Sequence, residues 1–91
     1  MIEDLLYRIQ SSVDVATAEA AIARLPAEYG TVLDLYYGWG LSRREIAALL
    51  GWSAGKVSQR LTRAITLLKY ELHPEAFQKA QALLQRRSVN Y

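Results

Sequence analysis

Apolar residues recur at three- and four-residue spacing along almost the whole chain, and β-branched runs bounded by turn residues are missing. That period belongs to helices packed through one face. The pattern predicts an all-α fold, a small helical bundle of about five helices. Ile2, Leu5, Leu6, Ile9 and Val13 predict an amphipathic helix over residues 2–12. Asp14 or Ser12 can cap a second helix through Val15, Ala18, Ala21, Ile22 and Leu25, and Pro26 either stops it or occupies the first turn of the next. In AEYGTVLDLYY the positions Tyr29, Val32, Leu33, Leu35 and Tyr36 face a core, and Gly38 and Gly40 end the helix in a short loop that holds Trp39. A last helix from Pro74 to Arg87 carries Phe77, Ala80, Leu83 and Leu84 on one side, after which RRSVNY is expected to fray.

The best-marked boundaries lie in the middle, in GLSRREIAALLGWSAGKVSQRL. Ser42-Arg43-Arg44-Glu45 is a capping box: the serine hydroxyl accepts the backbone N–H three residues on, and the glutamate reaches back to the serine N–H. Ile46, Leu49 and Leu50 form the apolar stripe of this helix, and Gly51 supplies the left-handed residue that stops it. Ser53 then caps a longer helix whose Val57, Leu61, Ala64, Ile65, Leu68 and Leu72 make one stripe. Gly55, Lys56, Gln59, Thr62, Arg63 and Thr66 point the other way, with Ser58 and Arg60 on the flanks. Two helices joined by a three-residue turn containing glycine, the second with a polar and basic outer face, are the parts of a helix-turn-helix.

Charge sharpens that picture. The net charge is only +2, but residues 1–40 hold two cations against six carboxylates. Residues 41–70 reverse the sign, with Arg43, Arg44, Lys56, Arg60, Arg63 and Lys69 against Glu45 alone. Such concentration is expected of a nucleic-acid footprint and not of an evenly solvated surface. The major groove is about 12 Å wide and admits one helix, whose outer face must bring hydrogen-bonding groups to base edges and cations to phosphates. Ala54 and Gly55 permit close approach, Gln59 and Arg63 can bond adenine or guanine bidentately, and Thr62 offers a methyl to thymine. Arg43 and Arg44 would flank the phosphate backbone.

Leu25 to Leu68, LPAEYGTVLDLYYGWGLSRREIAALLGWSAGKVSQRLTRAITLL, resembles region 4 of bacterial sigma factors, in particular the extracytoplasmic-function type. The shared features are LP followed by an acidic turn, a VL-containing helix with an aromatic near its end, GLS-x-x-EIA-x-LLG, and S-x-G-x-V with RL-x-RA after it. The resemblance implies recognition of the minus-35 promoter element in double-stranded DNA by the helix from Ser53 to Tyr70. Base edges are then approached from Ser58, Gln59, Thr62 and Arg63, and phosphates from Arg43, Arg44, Ser53, Lys56 and Arg60. It also implies a contact with the flap tip of the RNA polymerase β subunit. Ser58 departs from the pattern, standing where the family usually has Lys or Arg, and Lys56 partly restores the charge. At this length the chain is expected to lack region 2, the sigma domain that holds core polymerase and opens the minus-10 element. Residues 1–24 are read as N-terminal helices, 25–72 as the region 4-like part and 73–91 as a C-terminal helix and tail, all in one compact domain.

Other classes are weighed against this one. There is no nucleophile–base pair, no paired carboxylates on a shared face and no phosphate-cradling glycine loop, so an enzyme is not expected. Without cysteine, and with His73 as the single histidine, no metal or other cofactor is expected. His73 reads as a helix-end residue. The acidic start MIEDLLYRIQ and the lack of a long apolar run speak against export or membrane insertion and for the cytoplasm. Trp39 and Trp52 are expected to plug their loops against the core, with partner-binding anchors as the alternative, and Tyr7, Tyr29, Tyr36 and Tyr37 to serve core and rim. Two further readings stay open. One is a dimeric regulator similar to LuxR-type DNA-binding domains, and the other a module that docks on polymerase, or on a sigma partner, without reading DNA. The flanking helices each carry an apolar stripe, so one of them is expected to pack against another chain, a second copy being slightly favoured over a polymerase subunit.

Overall fold

The computed structural model describes residues 2–89, and the side chains of these other than Phe77 and residues 87–89. Among the described residues there are six α-helices, one π-helical turn and no strand. The helices are α1 Ile2–Arg8, α2 Val15–Arg24, α3 Ala27–Leu33, α4 Arg43–Leu50, α5 Ala54–Leu72 and α6 Pro74–Val89. Each of the six helical segments read from the sequence forms a helix, one more than the overall figure of about five, and Pro26 separates α2 from α3 as expected. Its missing N–H and extended ψ end one helix, and its carbonyl accepts from the Tyr29 and Gly30 N–H groups to start the next. Asp14, not Ser12, caps α2, its Oδ1 accepting from the Thr17 N–H at 2.7 Å.

Several boundaries differ from the sequence reading. α1 stops at Arg8 rather than residue 12, because Gln10 turns the chain at φ 56° and the Ser11 N–H reaches back to the Leu6 carbonyl. Ile9 is nevertheless buried. α3 widens into a π-helical turn, Asp34–Gly38, closed by the Trp39 N–H on the Asp34 carbonyl at 2.9 Å. The wider turn brings Tyr37 into the core and leaves Tyr36 half-buried beside it, the two rings edge to face at 4.9 Å. α6 continues to Val89 where fraying was expected from Arg86, and the remaining residues of that expectation lie outside the described ones.

The core runs along α5. Val57, Leu61, Ala64, Ile65 and Leu68 are buried on the predicted stripe and meet Val32 and Leu33 of α3, with Ile46 of α4 closing the turn. α2 packs on both α3 and α5, and α1 packs on α2 and the π-helical turn, adding Leu5, Ala18, Ala21 and Ile22 to the core. Gly30 lets α3 sit against α2: a Cβ there would stand 3.0 Å from the Ile22 carbonyl oxygen. The Arg24 to Glu71 ion pair, 3.0 Å, ties the end of α2 to the end of α5.

Three side chains expected in the core are outside it. In α4 the buried positions are Ile46 and Ala47, with Leu50 partly covered, while Leu49 is 64% exposed. At about 100° per residue the centre of that stripe lies between Ala47 and Leu50, and Leu49 falls about 110° away. Ala47 is small enough to bring α4 close to α5. Trp39 does not plug its loop but stands 77% exposed after the π turn, and Tyr7, on the outer side of α1, is also exposed. Trp52 is partly buried against the core as expected. The apolar stripe of α1 is satisfied within the chain, whereas α6 packs on the end of α5 and its described side chains from Glu75 to Arg86 are all exposed.

Candidate nucleic-acid interface

The helix-turn-helix is built by three local devices, all legible in the sequence. Ser42 Oγ accepts from the Glu45 N–H at 3.1 Å and Glu45 Oε1 from the Ser42 N–H at 3.0 Å, completing the capping box. That bond from the Ser42 backbone holds the Glu45 carboxyl below its ordinary range. Gly51 takes the left-handed conformation at φ 71°, which an L side chain adopts only under strain. Ser53 Oγ then accepts from the Lys56 N–H at 3.1 Å and starts α5.

The outer face of α5 forms one open concavity. Lys56, Ser58, Gln59, Thr62, Arg63 and Thr66 line it, with Ser53, Gly55 and Arg60 at its edges. All four residues expected at base edges, Ser58, Gln59, Thr62 and Arg63, are therefore on one surface, and Gln59, Thr62 and Arg63 are exposed while Ser58 is half-buried. Thr62 and Thr66 donate their hydroxyls to the carbonyls of Ser58 and Thr62, at 3.1 and 3.2 Å. Each hydroxyl is thus turned back onto the helix, and the methyl becomes the outward group.

The five residues expected at phosphates separate into groups. Arg43 and Arg44 lie in the first turn of α4, outside the concavity, and have no ion-pair partner among the described residues. Arg43 stacks over the Tyr36 ring at 5.1 Å. Two cations at the positive end of a helix dipole are unfavourably placed until an anion joins them. Ser53 is committed to its cap. Lys56 and Arg60 are held otherwise. Arg60 Nε donates to Glu28 Oε1 at 2.8 Å, and Lys56 Nζ stands 3.7 Å from the same oxygen and 4.2 Å from the Trp52 ring centre. Arg60 also donates to Gln59 Oε1 at 3.4 Å. The Arg60 guanidinium holds the Glu28 carboxyl below the usual carboxylate range, and Glu28 raises Arg60 in return.

Glu28 is the residue that sequence reasoning missed. It stands 32 positions from Arg60, and only the packing of α3 on α5 brings them together. The signal available in the sequence was an acid in the first turn of a helix that had to face the reading helix. Among the described residues no group of three His, Cys, Asp or Glu side chains could hold a metal ion. No helix there is long and apolar enough to cross a membrane. His73 sits at the C-terminal end of α5, its backbone N–H donating to the Lys69 carbonyl at 2.9 Å, as expected of a helix-end residue.

The family model for sigma-70 region 4 matches residues 16–68, a span that begins at the start of α2 and ends on the buried Leu68 of α5. No curated protein and no solved structure matches the chain. With the match covering more than half of the 91 residues, the chain belongs to the sigma-70 region 4 family, helix-turn-helix domains with a DNA-binding, regulatory and non-enzymatic role in transcription.

Proposed function

We propose that α5 enters the major groove of a promoter element of the minus-35 kind and reads it from Gln59, Thr62 and Arg63, with Ser58 at the edge of the contact. Arg43 and Arg44 bind phosphates beside the groove, and Lys56, Arg60 and the Ser53 cap complete the backbone contacts. The observation that carries this reading is the single concavity on α5, polar and basic, unobstructed by any other described element, and backed by a fully apolar inner stripe. A helix held this rigidly presents its side chains at fixed spacing, as base recognition requires. RNA polymerase is the second partner in this proposal. Trp39 and Leu49, exposed on surfaces away from the concavity, give a polymerase subunit apolar anchors that leave the reading face free.

Selection of bound duplexes from a random library, with and without core RNA polymerase, tests both partners. Enrichment of one short element by the protein alone, sharpened when polymerase is added, is the expected result. Retention without any enriched element contradicts base reading. Binding to polymerase with no retention of DNA at low salt replaces this proposal with a docking module.

A further inference from the structure

Lys56 and Arg60 share one carboxylate oxygen. Glu28 reaches across from the first turn of α3, takes Arg60 Nε at 2.8 Å and stands 3.7 Å from Lys56 Nζ. The Arg60 side chain keeps only 25% of its surface exposed. Glu28 therefore occupies, from inside the molecule, two of the cations that line the α5 concavity. Arg44 and Arg63 have no such partner among the described residues.

We infer that Glu28 is a charge-masking residue, an internal stand-in for a phosphate that subtracts charge from the reading surface and weakens its sequence-independent grip on DNA. The inference rests on the DNA-reading proposal above. Phosphate contacts supply affinity without sequence information, whereas base contacts supply preference. A carboxylate on Lys56 and Arg60 lowers the first without touching Gln59, Thr62 or Arg63, which face the bases. It also ties the two functions together, because the same Arg60 donates to Gln59 Oε1 at 3.4 Å. When a phosphate draws Arg60 away from Glu28, the carboxylate is left close to that phosphate. The repulsion acts on every duplex, and only a duplex with good base contacts offsets it.

Glu28→Gln tests this, since the amide can still accept from Arg60 Nε but carries no charge. Affinity for a duplex of arbitrary sequence is measured by fluorescence anisotropy from low to moderate salt, and thermal melting confirms that the variant is folded. One more uncompensated cation steepens the plot of log affinity against log salt by about 0.9. The variant is expected to bind the arbitrary duplex several-fold more tightly than the wild type at low salt. Over a fourfold rise in salt it then loses about 3.5-fold more affinity. Adding Arg60→Gln to the variant should return the slope to the wild-type value. Weaker binding, or an unchanged slope in a folded variant, overturns the inference and leaves Glu28 as a tie between α3 and α5. If neither protein binds duplex DNA, the DNA-reading proposal is what fails. Elution from a phosphate-bearing cation exchanger then decides the masking separately: later elution of Glu28→Gln supports it, and identical elution sinks it.

Discussion

Burial, and next to it the charge of Glu19, push the Asp34 carboxyl above its ordinary range. A raised acid pKa means that the native state binds the proton more tightly than the unfolded chain. Stability therefore falls as pH rises from the unfolded to the folded pKa, and stays lower above it. Asp34→Asn is expected to raise the melting temperature at pH 7, with the gain fading as pH drops into the carboxylate range. A melting temperature at pH 7 that is unchanged or lower contradicts this. Asp14 and Glu45 work in the other direction, held low by bonds with Thr17 and Ser42. Their contribution is present above the unfolded carboxylate pKa and is lost as pH falls through the lowered one. Acid should thus loosen the starts of α2 and α4 first, visible as early exchange of the Thr17 and Ser42 amides, the two that donate to these carboxylates. Ser42→Ala removes one half of the capping box and is expected to cost about 1 kcal/mol in denaturant unfolding.

At the scale of the element, α5 and α4 make opposite predictions from the same residue type. Leu61 is 3% exposed and sits mid-stripe between α3 and α5, so Leu61→Ala leaves a cavity and costs roughly 2 to 5 kcal/mol. Leu49→Ala, on the outer side of α4, is expected to change stability by less than about 0.5 kcal/mol. Equal losses in denaturant titration would show the register of α4 to be wrong. The pair also marks how far the sequence could be read. Ser42, Glu45, Gly51 and Ser53 were legible because each acts on backbone within four residues, and the α5 stripe was legible because four helical turns repeat it. Leu49 was not, since a helix of about two turns carrying both leucines and alanines permits two stripes, and close packing on α5 selects the one that uses Ala47. Trp39 was misplaced for a related reason. The π turn shifts every residue after Leu33, and nothing in DLYYG announces it. Among the site residues, the outward set on α5 followed from periodicity, while Glu28 depended on which helices are neighbours.

Across the whole molecule, folding rearranges the charge that the linear chain keeps apart. The first forty residues are acidic and the next thirty basic, yet α3 belongs to the acidic part and packs along the basic α5. Glu28 is thereby carried to the edge of the reading surface. A simple count of Arg43, Arg44, Lys56 and Arg60 on phosphates would give a salt slope of about −3.6, at about −0.9 per contact. With Glu28 cancelling one of the four, the wild-type slope is expected near −2.7. Arg44 has no ion-pair partner among the described residues, so Arg44→Ala should weaken binding to every duplex and flatten the slope by about 0.9. Gln59→Ala should leave the slope nearly unchanged and instead reduce discrimination at one base pair by roughly 1 to 3 kcal/mol. The two substitutions lie on different helices and do not share a contact, so their effects in the double variant should add. Titrating the wild type and these three variants against matched and mismatched duplexes at several salt concentrations measures all of these quantities together. If Arg44→Ala flattens the slope and Gln59→Ala changes no preference, the basic surface holds DNA without reading it, and sequence choice would then have to come from the shape of the duplex.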